Sequence, residues 1–140
     1  MGETYPSLLQ TVIDAVDVRA EAEFYRRLLG LRYRPGDEPP TYGADDADWL
    51  VLADEDGRRR LAFQQVEPGD FEPTTWPERG VGKHYHLDTG VPDVAELDRQ
   101  HERALALGAR LRSDQSDDPD EQLRVYRDPE GHLFCIFVGS

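Results

Sequence analysis

Gln10-Thr-Val-Ile-Asp-Ala-Val-Asp17 and His86-Leu-Asp-Thr-Gly-Val-Pro-Asp93 follow one plan. In each, a side chain able to chelate stands seven residues ahead of an aspartate suited to opening a helix, and each helix runs into a Leu-Gly pair, Leu29-Gly30 and Leu107-Gly108. Self-similarity at a fixed offset predicts two copies of one supersecondary unit, with equivalent positions meeting near a pseudo-twofold axis. Those positions are Gln10 and His86.

Working outward, residues 8–16 read as a strand, because Thr11, Ile13 and Ala15 alternate with Gln10, Val12 and Asp14. Asp17 is an N-cap, Ala22, Tyr25, Leu28 and Leu29 recur at helical spacing over 18–29, and Gly30 supplies the C-cap. Strands follow at Leu31–Arg34, Trp49–Ala53 and Arg60–Val66, the last two joined by an Asp54-Glu-Asp-Gly57 turn. Residues 67–82, broken by Pro68, Pro73 and Pro77, form a linker.

The order then repeats. His84 to Asp88 is a strand, and Asp93 with Glu96 makes a capping box for a helix over 94–107 whose Val94, Leu97, His101, Ala104 and Leu105 share a face. Leu107 to Leu111 leads out of it, Asp117 to Glu121 is a solvated loop, and Leu123–Arg127 and Leu133–Val138 are strands around an Asp-Pro-Glu-Gly turn at 128–131. The class is α+β: one domain of two tandem βαβββ modules, about 8–66 and about 83–139.

Composition excludes several partners. With 29 acidic and 16 basic residues the net charge is −13, a field that repels phosphate backbones and anionic membranes and attracts cations. Nucleic acid and membrane are therefore not expected. The amino terminus lacks a basic start and an apolar run, and the single cysteine, Cys135, has no internal disulfide partner, so a reduced, cytoplasmic protein is expected.

Several motifs together resemble the vicinal oxygen chelate superfamily, which includes glyoxalase I, bleomycin-resistance proteins and extradiol dioxygenases. They are Phe24-Tyr25-x-x-Leu28-Leu29-Gly30-Leu31, His86-Leu-Asp, Leu107-Gly108-Ala109 and Asp128-Pro129-Glu130-Gly131-x-x-Phe134-Cys135. The resemblance covers roughly residues 8–139. It implies curved mixed sheets forming a partly open barrel whose concave faces enclose a site. It also implies metal ligands on the first and last strand of each module, and a homodimer.

Carried onto this chain, the first-strand ligand positions are Gln10 and His86. The last-strand position, a Glu in the metal-dependent members, is Cys135 in the second module and Ala62, or Gln64 two residues later, in the first. Both acidic ligands are missing. An amide and a thiol neither neutralise a divalent ion as two carboxylates do nor shuttle a proton, so standard glyoxalase I chemistry is not expected. The expected pocket residues are Gln10, Gln64, Trp76, His84, His86, Asp88 and Cys135. If a metal binds, Gln10, His86 and Cys135 are its ligands.

Ordinary structural roles compete at each position. A free Cys in Leu-Phe-Cys-Ile-Phe-Val reads first as a small buried hydrophobe. His84 reads as a hydrogen-bonded rim residue, His101 as a packed core or interface residue and His132 as solvent-exposed. Arg58-Arg59-Arg60 reads as a solvated hairpin, and Tyr42, Trp49, Phe71 and Trp76 as aromatics near loops. Two functions follow from the resemblance. One is a bleomycin-resistance-like protein that sequesters a small organic molecule without a catalytic metal. The alternative is a lyase, isomerase, epimerase or dioxygenase using Zn, Ni or Fe on a vicinal-oxygen substrate.

Overall fold

The structure, a computed structural model, describes residues 4–83 and 85–139. His84 lies outside the described residues. The chain divides into two compact units, Met1–Val66 and Glu67–Ser140.

The first unit runs β1 (Thr11–Ala15), α1 (Val18–Leu29), β2 (Arg32–Tyr33), β3 (Trp49–Ala53) and β4 (Arg59–Gln65). Its four strands pair in the order β1-β4-β3-β2, with β1 parallel to β4 and the remaining pairs antiparallel. Asp17 caps α1 by accepting from the Ala20 amide at 3.1 Å, and Gly30 closes it at φ 68°, a left-handed conformation that costs glycine nothing. Between these stops α1 buries Val18, Ala22, Phe24 and Tyr25 on the sheet. Tyr25 stacks on Phe63 with centroids 5.9 Å apart, which identifies the helix face of β4. Leu50, Leu52 and Leu61 share that face through register, and Val12, Val51, Ala62 and Gln64 therefore lie on the opposite one. Gln65 ties the end of β4 to the entry of α1, accepting from the Val18 amide and donating to the Val16 carbonyl.

The second unit repeats the plan with β5 (Leu87–Val91), α2 (Val94–Leu107), β6 (Arg110–Asp114), β7 (Leu123–Arg127) and β8 (Leu133–Val138). Its sheet order is β5-β8-β7-β6, again with only the first pair parallel. Asp93 caps α2 through the Glu96 amide at 2.8 Å, and Gly108 ends it. The His101 Nδ1 lies 2.8 Å from the Tyr126 hydroxyl, and Tyr126 stacks on Phe134, so these two rings mark the helix face. The other face carries Leu123, Val125, Leu133 and Cys135 as a buried cluster, with Phe137 and Trp76 packed on it.

The element order matches the sequence reading, and the differences lie at strand ends. β1 is shorter than residues 8–16, and β2 retains only Arg32 and Tyr33. The strand expected at residues 84–88 begins at Leu87, with His86 just ahead of it, because β8 offers its first parallel partner at Phe134. Of the face expected on α2, Leu97 and Ala104 are buried, while Val94 and Leu105 are each 39% exposed. Residues 67–82 contain no helix or strand, yet they are pinned within the second unit. Thr74 Oγ1 donates to the Val81 carbonyl at 2.7 Å and Arg112 Nε to the Trp76 carbonyl at 2.9 Å.

Candidate functional site

Strand pleat and register assemble the clearest polar constellation on the helix-free face of the second unit. In the β5–β8 pair Asp88 is opposite Cys135, and His86, two residues earlier, points the same way. His86 Nε2 lies 3.2 Å from Asp88 Oδ1, and one ligand atom from each of His86, Asp88 and Cys135 falls within 4.8 Å of the others. Burial, seconded by the Asp88 carboxylate, pushes the Cys135 thiol up to about 11, so at neutral pH it is protonated. Lys83 works in the opposite direction on that thiol.

Trp76 borders this constellation through its packing on the cluster that contains Cys135. The Lys83 ammonium sits over its indole, 4.2 Å from the ring centroid, a cation–π contact that holds the chain's only lysine at the site. Apolar walls, one large aromatic and a few convergent polar groups are the ingredients of a small-molecule site.

The equivalent pairing in the first unit settles an ambiguity of the sequence. Val12 is opposite Ala62 just as Asp88 is opposite Cys135, so the first-unit counterpart of Cys135 is Ala62 and not Gln64. Gln64 lies exposed one pleat further along the same face, opposite Asp14 and Trp49. Gln10 precedes β1, and its Oε1 is buried with no hydrogen-bond partner among the described residues.

The family model of the glyoxalase-like domain matches residues 10–137. The chain belongs to the glyoxalase-like domain family. It is thereby a member of the vicinal oxygen chelate superfamily. No protein of curated function matches it. Among solved structures it is similar to a glyoxalase/bleomycin resistance protein/dioxygenase family enzyme from Burkholderia phytofirmans, at TM-score 0.65 and 18% identity, over 93% of this chain and 96% of that one. A mutant of the fosfomycin resistance protein FosX from Listeria monocytogenes, complexed with Mn(II), aligns at TM-score 0.68 and 15% identity over 98% and 95%. Lactoylglutathione lyase from Agrobacterium tumefaciens aligns at 0.59 and 18% over 98% and 96%. At these identities the likeness is one of fold.

Within this glyoxalase-like domain several expected roles change. His132, expected in solvent, stacks on Phe71 with centroids 4.1 Å apart, because the preceding segment folds back over the Asp128–Gly131 turn. Tyr42, in its loop, is 89% exposed. His101 takes its packed role against Tyr126. Asp88, expected only as a pocket residue, is a potential ligand beside Cys135. Its signal was present in the His86-x-Asp88 alternation, whereas the role of Lys83 had none. Glu21, fully buried on α1, also escaped the sequence reading. An open groove of the first unit is lined by Glu23, Arg26, Arg27, Tyr33 and Glu38, its Arg26 and Arg27 already paired with Glu23. No helix among the described residues is long and apolar enough to cross a membrane.

Proposed function

We propose that this protein binds a small organic molecule on the helix-free face of its second unit, as a sequestering or carrying protein rather than a glyoxalase-type isomerase. The observation that carries this reading is strand register, which sets Ala62 and Cys135 at the two positions where the family resemblance implies carboxylates. Ala62 has no donor atom, and the Cys135 thiol is held neutral. Gln10, Ala62, His86 and Cys135 therefore do not fit a metal centre with two carboxylates, nor do they provide that centre's proton-shuttling base. Trp76, half-buried over the apolar cluster, and the exposed His86 and Asp88 beside it are the groups a ligand would meet.

The test follows the fluorescence of the neutral dye Nile red bound to the protein, with thermal melts as a check on folding. Trp76→Ala is expected to weaken binding more than His86→Ala, because the indole supplies contact area and His86 only a rim contact. If His86→Ala abolished a metal-dependent turnover that Trp76→Ala left intact, the binding reading would be given up. The convergence of His86, Asp88 and Cys135 favours, as the second reading, a metal-dependent lyase, isomerase or epimerase acting on a vicinal-oxygen substrate.

A further inference from the structure

We infer that the molecule taken up on this face is an organic cation of the quaternary-ammonium class, seated on the Trp76 indole in place of the Lys83 ammonium. The inference rests on the small-molecule reading above and gives its ligand a charge. In the free protein the Lys83 ammonium lies 4.2 Å from the indole centroid. Trp76 is thus a cation-binding surface that the chain itself already occupies, with an exposed side chain. That side chain is free to swing away, because Lys83 follows Gly82, which has open space about it. The indole, by contrast, is fixed. Its residue's amide donates to Thr74 Oγ1 at 3.1 Å, the carbonyl accepts from Arg112 Nε at 2.9 Å, and the ring packs on the cluster that contains Cys135.

Hydration decides which cation wins the exchange. A primary ammonium is a compact, strongly hydrated charge, and Lys83 regains that hydration when it leaves the ring. A quaternary ammonium carries methyl groups in place of N–H donors, so it gives up little water and lays those methyls on the π face. A neutral ligand that displaces Lys83 forfeits the cation–π contact without replacing it. The surrounding charges favour the same ligand. Asp88 and Lys83 act with opposite signs on the Cys135 thiol, so a carboxylate lies near the ammonium. Arg112, bonded to the Trp76 carbonyl, is paired with Glu78. The chain's net charge of −13 attracts cations and repels anions.

Lys83 is the only lysine, so ¹³C-lysine labelling gives a single set of side-chain NMR signals. Its ε-methylene protons should resonate upfield in the free protein, under the indole ring current, and choline should move them saturably to the position of a solvated lysine. Read from the ligand methyl signals, choline should bind roughly two- to fivefold more tightly than its uncharged carbon isostere 3,3-dimethylbutan-1-ol, the range of an exposed cation–π contact. Trp76→Leu should remove that preference and Lys83→Ala should tighten choline binding, with thermal melts confirming that both variants fold. The comparison of choline with its isostere on the wild-type protein needs no variant. An isostere that binds as tightly as choline overturns the inference, as does a Lys83 signal that choline leaves in place. So does a preference that survives in full in Trp76→Leu, which would assign it to the overall field, or weaker choline binding by Lys83→Ala. None of these results touches the small-molecule reading, which stands or falls with the Trp76 dependence of Nile red binding.

Discussion

Glu23 offers the sharpest energetic test of the fold. Its carboxylate accepts from Arg26 Nε and a second Arg26 nitrogen at 2.9 Å each, from Arg27 Nε at 3.2 Å and from the Tyr33 hydroxyl at 2.8 Å. These donors, Arg26 foremost, draw its pKa from 4.5 to about 2. At 1.36 kcal/mol per pKa unit that drop sets a ceiling of about 3.4 kcal/mol. The side chains of Arg26 and Arg27 are 35% and 60% exposed, and solvent screening reduces the expected contribution to about 1–1.5 kcal/mol. Because the folded pKa lies below the unfolded one, the contribution is complete above about pH 4.5 and is lost as pH falls toward 2. Glu23→Gln should therefore cost about 1–1.5 kcal/mol in urea unfolding at pH 7. At pH 3 the gap between variant and wild type should shrink to well under half of that value. A gap that stays constant between pH 7 and pH 3, or a more stable variant, would refute the reasoning, since a neutral amide cannot reproduce a titrating cost.

Replacing the helix caps, Asp17→Ala or Asp93→Ala, should each lower stability by about 1 kcal/mol in denaturant unfolding, because each aspartate satisfies a first-turn amide. Gly131→Ala should cost more than either, roughly 1–3 kcal/mol, since Gly131 stands at φ +99° and an added Cβ would come within 2.9 Å of Pro73. A thermal melt unchanged by that substitution would show that the Pro73 segment moves freely away from the turn. Each sheet ends in strands with an edge unpaired among the described residues, and we expect these edges to be protected by association into a homodimer. Light scattering at micromolar concentration is expected to return twice the chain mass, and a monomer would remove the expectation without affecting the fold.

The duplicated architecture was legible because it is written in local terms. Asp17 and Asp93 stop the chain where a helix needs an acceptor, Gly30 and Gly108 where it needs a left-handed residue, and the alternation of Ile13 and Ala15 with Val12 and Asp14 assigns faces without reference to distant residues. Each of these signals lies within a few positions of the element it defines. The ends of β1, β2 and β5 were misplaced because a strand extends only as far as its partner offers hydrogen bonds, and that length belongs to another segment.

The same division runs through the candidate site. The chain alone determined that His86 and Asp88 share a face, that Cys135 lies in a strand, and that carboxylates are missing from the last-strand positions. Pairing between strands distant in the chain decided that Asp88 stands opposite Cys135, and that its first-unit counterpart is Ala62 rather than Gln64. It was likewise folding that brought Lys83 over Trp76 and Phe71 onto His132. Parallel register shifts freely in sequence by two residues without changing which side chains face inward, so periodicity identifies the face of a residue, and only the closed hydrogen-bond ladder identifies its neighbour.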